Sequence, residues 1–264
     1  MNKDKSNSLN SIEKAIKVLL KFRQSGATHG IRELSSELGF SPATVQRILK
    51  TLKKHDFVRQ NPGNRQYYIG NIFYSFIQAL QRSNNLTGIA RHFIEELAHK
   101  TKETSHINII EAGHRLCIDT IESPRNLKAG MPVGNRSPLY AGASAKCLLA
   151  FSSGEFIDNY IEATILKPVT ENTISDVQEL RDELKRIKEQ GFAKSLGERT
   201  PGLGSLSAPV FDNSGVVLAS LSLAIPGIRF SKDEYLDECI NILTSVAKSF
   251  SESMGYNSIG ISNN

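Results

Sequence analysis

The stretch that most constrains this chain is Gly30–Tyr68, GIRELSSELGFSPATVQRILKTLKKHDFVRQNPGNRQYY. It predicts a helix, a tight turn, a second helix and a β-hairpin wing. Ile31, Leu34 and Leu38 recur at helical spacing, and Gly39 follows, a residue that accepts the left-handed conformation of a helix end. Ser41 and Pro42 restart the chain as N-cap and first helical residue, and Val45, Ile48, Leu49 and Leu52 form a buried stripe. That stripe turns Ala43, Thr44, Gln46, Arg47, Lys50 and Lys54 outward. They are short at the helix start and long and cationic later, as suits a helix whose first turns meet base edges while its flank meets phosphate. Phe57-Val58 and Tyr67-Tyr68-Ile69 are β-prone, with the turn-rich Asn61-Pro62-Gly63-Asn64 between them and Arg59 and Arg65 beside it.

Any amphipathic helix pair broken by glycine shares part of this pattern, and charge decides between the readings. Residues 1–84 carry 14 Lys and Arg against 5 Asp and Glu, a net of +9, whereas the remaining 180 residues carry 18 against 22, a net of −4. Basic character confined to the helix-turn-helix third is what phosphate neutralisation requires, and a merely solvated surface gives no reason for it.

The chain of 264 residues, 39% hydrophobic, is long enough for one or two globular domains. No apolar run approaches membrane-spanning length and the N-terminus is polar, so a cytoplasmic protein with no membrane partner is expected. Cys117, Cys147 and Cys239 are far apart, which points to buried reduced thiols rather than a disulfide framework. No metal site and no cofactor are expected.

Taken in order, residues 1–8 read as a disordered start. A helix follows from Asn10, with Glu13 completing its cap and Ile12, Ala15, Ile16, Leu19, Leu20 and Phe22 on its apolar face. Gln24–Gly30 reads as a loop. After the wing, Ile72, Phe73, Phe76, Ile77 and Leu80 mark a helix too apolar to stand alone. A second copy of the chain is its economical partner, and a two-fold dimer matches the spacing of DNA half-sites; packing within its own domain is the alternative. The domains are therefore set at 1–70 (DNA-binding), 71–85 (linker and dimerisation helix) and 86–264.

The last domain reads as α+β. A helix over Thr87–Lys100 precedes a hairpin of Thr104–Ile110 and Leu116–Ile121, then an extended piece, Leu127–Val133. Tyr140–Ala150 is a helix opened by small residues, which leaves either a floor for a small polar or anionic ligand or simply close helix packing. Ser175, with Gln178, caps a charged helix closed by Gly191; Gly197–Gly204 reads as irregular. Ser205–Phe211 and Val216–Ile225 form a hairpin about Asp212–Gly215, and Ser231, with Glu234, caps a final helix to about Met254.

Three separated segments, Ser11-Ile-Glu-Lys-Ala-Ile-Lys-Val-Leu19, Ser137-Pro-Leu-Tyr-Ala-Gly-Ala-Ser-Ala-Lys-Cys-Leu-Leu-Ala150 and Gly202-Leu-Gly-Ser-Leu-Ser-Ala-Pro-Val210, together with the helix-turn-helix, resemble the IclR family of bacterial transcriptional regulators over nearly the whole chain. The resemblance implies a winged helix-turn-helix, a dimerising linker helix and a GAF-like effector domain, assembled as a homodimer or tetramer. Carried over position by position, it implies an effector pocket at Ala143, Ser144, Ser195, Ser205, Ser222 and Ala224, with Met131 and Leu139 as apolar wall. Departures are also visible: Ala145 stands where a glycine is usual, Ser195 where an acid is common, Ser205 where a cysteine is common, and Ala224 where the second of two alternating serines is expected. Such a pocket can donate hydrogen bonds to a carboxylate or sugar-acid metabolite, with altered selectivity.

The function expected is a sequence-specific regulator, a repressor of a palindromic double-stranded operator, whose operator affinity that metabolite modulates. Thr44, Gln46 and Arg47 would meet base edges, Lys50, Arg59 and Arg65 would hold phosphate, and Ser41 and Ala43 belong to the same DNA-binding set. Two other readings stand beside it: a thiol enzyme using Cys117 or Cys147 with His106 or His114, or a DNA-binding protein with no effector. Ser245-Val-Ala-Lys248 spells a Ser-x-x-Lys pattern, but within an amphipathic helix.

Overall fold

The computed structural model describes residues 10–23, 26–83 and 85–257. The expected disordered start, 1–8, and part of the Gln24–Gly30 loop lie outside them. The chain forms two compact units that divide between Asn84 and Asn85.

In the first unit, α1 (Ser11–Leu20) opens with a full capping box, in which the Asn10 side chain accepts from the Glu13 amide and Glu13 accepts from Asn10. One 3-10 turn, Lys21–Arg23, carries Phe22 inward. Helix α2 (Ile31–Leu38) ends at Gly39 with φ of 67°, and α3 (Pro42–Lys54) starts from Ser41, whose Oγ accepts from the Thr44 amide at 3.2 Å. Val18, Phe22, Leu34, Val45, Leu49, Val58 and Tyr67 close one small core. Strands β1 (Val58–Gln60) and β2 (Tyr67–Ile69) make the wing, tied back by a two-way backbone bridge between His29 and Tyr67. Gly70 ends it because nothing larger fits: a Cβ there would sit 1.8 Å from the Asp56 carbonyl oxygen. Helix α4 (Ile72–Ser83) follows, anchored by Phe73 and Phe76 against Phe57 at ring separations of 5.6 and 6.1 Å. The linker helix therefore joins the first unit rather than standing as a segment of its own.

The second unit is α+β. Its six-stranded antiparallel sheet has the order β5-β4-β3-β8-β7-β6, where β3 is Thr104–Glu111, β4 His114–Ile121, β5 Arg136–Pro138, β6 Ala193–Leu196, β7 Leu203–Phe211 and β8 Val217–Pro226. Alternation along the strands divides the sheet into two chemistries. Ile107, Leu206, Leu221, Leu223 and Ile225 face a core with α5 (Asn85–Thr101) and α10 (Asp233–Ser253), where Phe93 stacks on Phe250 at 4.6 Å. The opposite face presents His106, Asn108, Arg115, Ser195, Ser205, Ser207, Ser220 and Ser222, next to α6 (Ala143–Ala150) and α8 (Val177–Gln190). The apolar flank of α6 and α8 is closed by Leu148, Leu149, Leu180, Leu184 and Ile187.

Four sequence expectations are corrected. Leu127–Val133 forms no strand: Arg229 donates to the Leu127 carbonyl, and the edge of β4 is reached only from Gly134 onward, whose amide donates to Cys117, leading into β5. Asp176, not Ser175, caps α8, its carboxylate accepting from the Glu179 amide at 2.9 Å. Ser231 ends a short helix, α9 (Gly227–Phe230), donating to the Gly227 carbonyl, so α10 begins after Lys232 without a side-chain cap. The Gly197–Gly204 stretch already enters β7 at Leu203, and α7 (Gly154–Ala163) and β6 were not foreseen.

Candidate functional site: a DNA-reading helix and a buried polar cavity

In the first unit, α3 carries most of the residues expected to meet DNA. Ser41, Ala43, Gln46, Arg47 and Lys50 are exposed, whereas Thr44 is half-buried with its Oγ1 2.9 Å from Ser41 Oγ. Thr44 and Arg47 also border an apolar groove against Ile12, Ala15 and Leu19 of α1, which places them at the flank of the exposed face of α3. On the wing, Arg65 is exposed with φ of 59°, and Arg59 holds Asp56 at 3.1 Å across two half-exposed side chains. A pair so solvated is weak and is readily exchanged for phosphate. His29, Glu33 and Glu37 also converge, with ligating atoms within 4.8 Å of one another. Protein groups already occupy them: Lys21 pairs with Glu37 at 2.7 Å, His29 meets the Lys21 carbonyl, and Glu33 completes the α2 cap.

In the second unit, sheet register assembles a cavity of about 120 Å³. Ser195 of β6 pairs with Ser205 of β7, which pairs with Ala224 of β8, so three positions far apart in the chain form one cross-strand row beneath the start of α6. Met131, Ala143, Ser144, Ser195, Ser205 and Ala224, all named above for an effector pocket, line the cavity together with Asn135, Glu198 and Arg199. Two expected members do not. Leu139 is buried in the α6–α8 core, its amide donating to the Tyr160 hydroxyl. Ser222 lies one row further along the sheet, 2.8 Å from Ser207 Oγ and accepting from Asn108.

The start of α6 is less open than its small residues suggest. The Ala143 amide donates to Ser195 Oγ at 3.0 Å and the Gly142 amide to Glu198 Oε2 at 2.8 Å. Gly142, with φ of 88°, lies under the Arg199 side chain, where a Cβ would come 2.9 Å from Arg199 Cδ. Behind this floor, Lys146 is 1% exposed and donates to Glu183 at 2.8 Å and Glu198 at 2.6 Å, and Arg186 also contacts Glu183. Burial alone would raise the Glu183 carboxyl, but the Lys146 ammonium and the Arg186 guanidinium hold it below its ordinary value.

Arg115 and Asn108 escape sequence reading because each looks like an ordinary strand residue, and the sequence offers His106 only as a base for a thiol. Arg115 is fully buried, donating to Ser137, Asn108 and Asn135. His106 is fully buried too, its Nδ1 3.1 Å from Asn108 Oδ1 and its Nε2 without a hydrogen-bond partner. Asn108 joins both to the serines of β8. Period-2 alternation of serine with leucine over 205–207 and 220–223 is the signal that a polar face lies here, since a sheet face packed in an ordinary core would not alternate this way.

Burial above all, then the nearby Arg115 charge, pushes the His106 imidazole down to about 3, against the opposing hydrogen bond from Asn108. The unfolded chain therefore takes up a proton that the folded one refuses, and stability falls as pH drops from 6.5 toward 3. At pH 5 this costs up to about 2 kcal/mol relative to pH 7. Denaturant titrations should show this loss in the wild type and a smaller pH 7-to-5 difference in His106→Asn; equal differences contradict the assignment.

The thiol-enzyme reading finds no support in this arrangement. Burial raises Cys117 to about 11 and Cys147 to about 12, so neither is a thiolate near neutrality. His114 stands exposed at the β3–β4 turn, and Ser245 and Lys248 are exposed on α10.

The IclR helix-turn-helix domain matches residues 11–62, and the bacterial transcriptional regulator IclR C-terminal domain matches residues 78–252. The HTH-type transcriptional regulator KdgR of Escherichia coli is 35% identical over 228 residues, 86% of each chain. Among solved structures, the Thermotoga maritima IclR superposes with a TM-score of 0.78 at 25% identity, covering 94% of this chain and 99% of its own. An IclR homologue from Microbacterium hydrocarbonoxydans, crystallised with 4-hydroxybenzoate, has the same fold, with a TM-score of 0.80 at 17% identity over 93% of this chain and 99% of its own. Relatives carrying these two domains are named regulators rather than enzymes. The helix-turn-helix, the α+β effector-binding domain and these matches together show that the chain belongs to the IclR family of bacterial transcriptional regulators.

Proposed function

We propose that this regulator is a cytoplasmic repressor that binds a palindromic operator as a homodimer, or a pair of dimers, and releases it when a small carboxylate or sugar acid occupies the cavity of the second unit. The observation that carries the reading is the cavity itself: the row Ser195, Ser205 and Ala224 with Met131, Ala143 and Ser144 encloses space for a small molecule among hydrogen-bonding groups. A carboxylate ligand in the Microbacterium homologue is consistent with this class. Dimerisation is supported by the uncovered apolar faces of α1 and α4, where Ile12 and Tyr74 are each 71% exposed and Phe76 and Ile77 each 49%. No helix among the described residues is long and apolar enough to cross a membrane.

On this reading Ala43, Gln46 and Arg47 meet base edges, with Ser41 and Thr44 fixing the helix start. Lys50, Arg59 and Arg65 hold phosphate. Arg47→Ala should weaken operator binding by roughly 5- to 150-fold, the range for one base contact, while Lys50→Ala should weaken operator and random DNA alike and flatten the salt dependence. Gel shifts at several salt concentrations separate the two; an Arg47→Ala protein with wild-type operator affinity contradicts the assignment.

A further inference from the structure

Charges around the cavity balance everywhere except at one point. Lys146 and Arg186 offset Glu183 and Glu198, and Glu198 is further occupied by the Gly142 amide. Arg91 pairs with Asp119 and Arg229 with Glu103. Arg115 and Arg199 remain. Both donate to the same atom, Asn135 Oδ1, each at 2.8 Å. The other partners of Arg115 are neutral: Ser137 Oγ, Asn108 Oδ1, the Asn135 carbonyl and Met131 Sδ. Among the described residues neither guanidinium has a carboxylate partner. Each is pushed below its ordinary value by burial, and Arg115 by the Arg199 charge as well.

Two like charges sharing one amide oxygen in a desolvated site are held at a cost unless something negative joins them. Arg199 and Asn135 line the cavity, and Arg115 stands one hydrogen bond behind them. The guanidinium is the side chain whose planar fork suits a carboxylate. We propose that Arg199, aligned by Asn135 and backed by the charge of Arg115, is the anion-recognising element of the cavity, so that the effector must carry a carboxylate and neutral analogues are rejected. Arg199 is the contact and Arg115 a positioning residue. The inference rests on the cavity being the effector site.

One consequence separates this role from a structural one. If the pair is poised for an anion, the empty protein is relieved by losing a charge. Arg199→Gln should raise the melting temperature by about 2 to 4 °C, whereas removing a structural arginine should lower it. Asn135→Asp, which places a carboxylate between the two guanidiniums, should raise it as well and should abolish the response to added acid.

The test uses the full chain, with acetate and lactate titrated against chloride at matched ionic strength and against glycerol as neutral control. The wild type is expected to show saturable stabilisation by an acid and none by glycerol, as differential binding to the folded state requires. Arg199→Gln should weaken that response roughly 10- to 150-fold. The proposal is overturned if neither acid stabilises beyond chloride, if glycerol matches the acids, if Arg199→Gln keeps the response, or if both Arg199→Gln and Asn135→Asp melt lower than wild type. An acid that binds through Arg199 yet leaves operator affinity untouched would sustain the anion site and overturn its regulatory role.

Discussion

Replacing Lys146 with methionine should destabilise the second unit by about 3 to 5 kcal/mol, the largest single-residue loss expected in this protein. Lys146 is fully enclosed behind the floor of the cavity, and its ammonium is the shared partner of Glu183 and Glu198. Methionine preserves the volume of the stem but leaves two carboxylates facing each other. Arg186 still reaches Glu183 from the exposed side, so the orphan is Glu198, a buried carboxylate left without a cation. Because Glu198 also fixes the Gly142 amide at the start of α6, the cavity should loosen together with the fold. Denaturant unfolding at pH 7 measures the first effect. A Lys146→Met, Glu198→Gln double variant should recover part of it, since the uncompensated charge rather than lost packing is the cause. A single variant within 1 kcal/mol of wild type would show that the buried ion triad is not what holds α6 in place.

The second large effect concerns assembly. Phe76→Glu with Ile77→Glu on α4 should convert the protein to a monomer in sedimentation experiments and weaken operator binding at least roughly a hundredfold, because the second half-site contact is then no longer intramolecular. Both side chains are half-exposed and apolar, and Phe76 also touches Phe57 beneath the wing. The doubly substituted protein should therefore be checked for an intact first unit by circular dichroism before its affinity is read. A folded variant that remains dimeric places the interface elsewhere.

Much of this architecture is legible in the sequence for a plain physical reason. Caps, turn residues and apolar periodicity act locally, so Asn10 with Glu13, Gly39, Ser41 and Gly191 mark helix ends where the structure has them. Local rules failed where two candidates stood side by side, as with Ser175 and Asp176, or where a segment spends its polar groups on distant side chains, as Leu127 does on Arg229. The cavity was legible in part. Six of the eight residues that the family resemblance marks for an effector pocket line one cavity, since that resemblance carries register information that one sequence lacks. Ser222 misses because the row one step along the sheet turns its hydroxyl to Ser207 and Asn108. Arg115 and the buried settings of His106 and Lys146 are hidden for the opposite reason to a motif: burial, not spacing, makes them unusual, and partners such as Ser137 for Arg115 and Glu183 and Glu198 for Lys146 lie 22 to 52 residues away. Charge segregation, by contrast, required no structure, and the +9 of the first third falls on the unit that holds α3 and the wing.

A small acid bound in the second unit should change how tightly the first unit holds its operator. Genome-wide footprinting supplies the operator, and fluorescence anisotropy of that DNA with the full-length protein, at fixed salt, then reads the coupling for an acid already shown to stabilise the protein. The binding midpoint should shift by about 5- to 150-fold toward weaker affinity, and should not shift when Ser205→Phe fills the cavity. A midpoint unmoved by an acid that demonstrably occupies the cavity would contradict it.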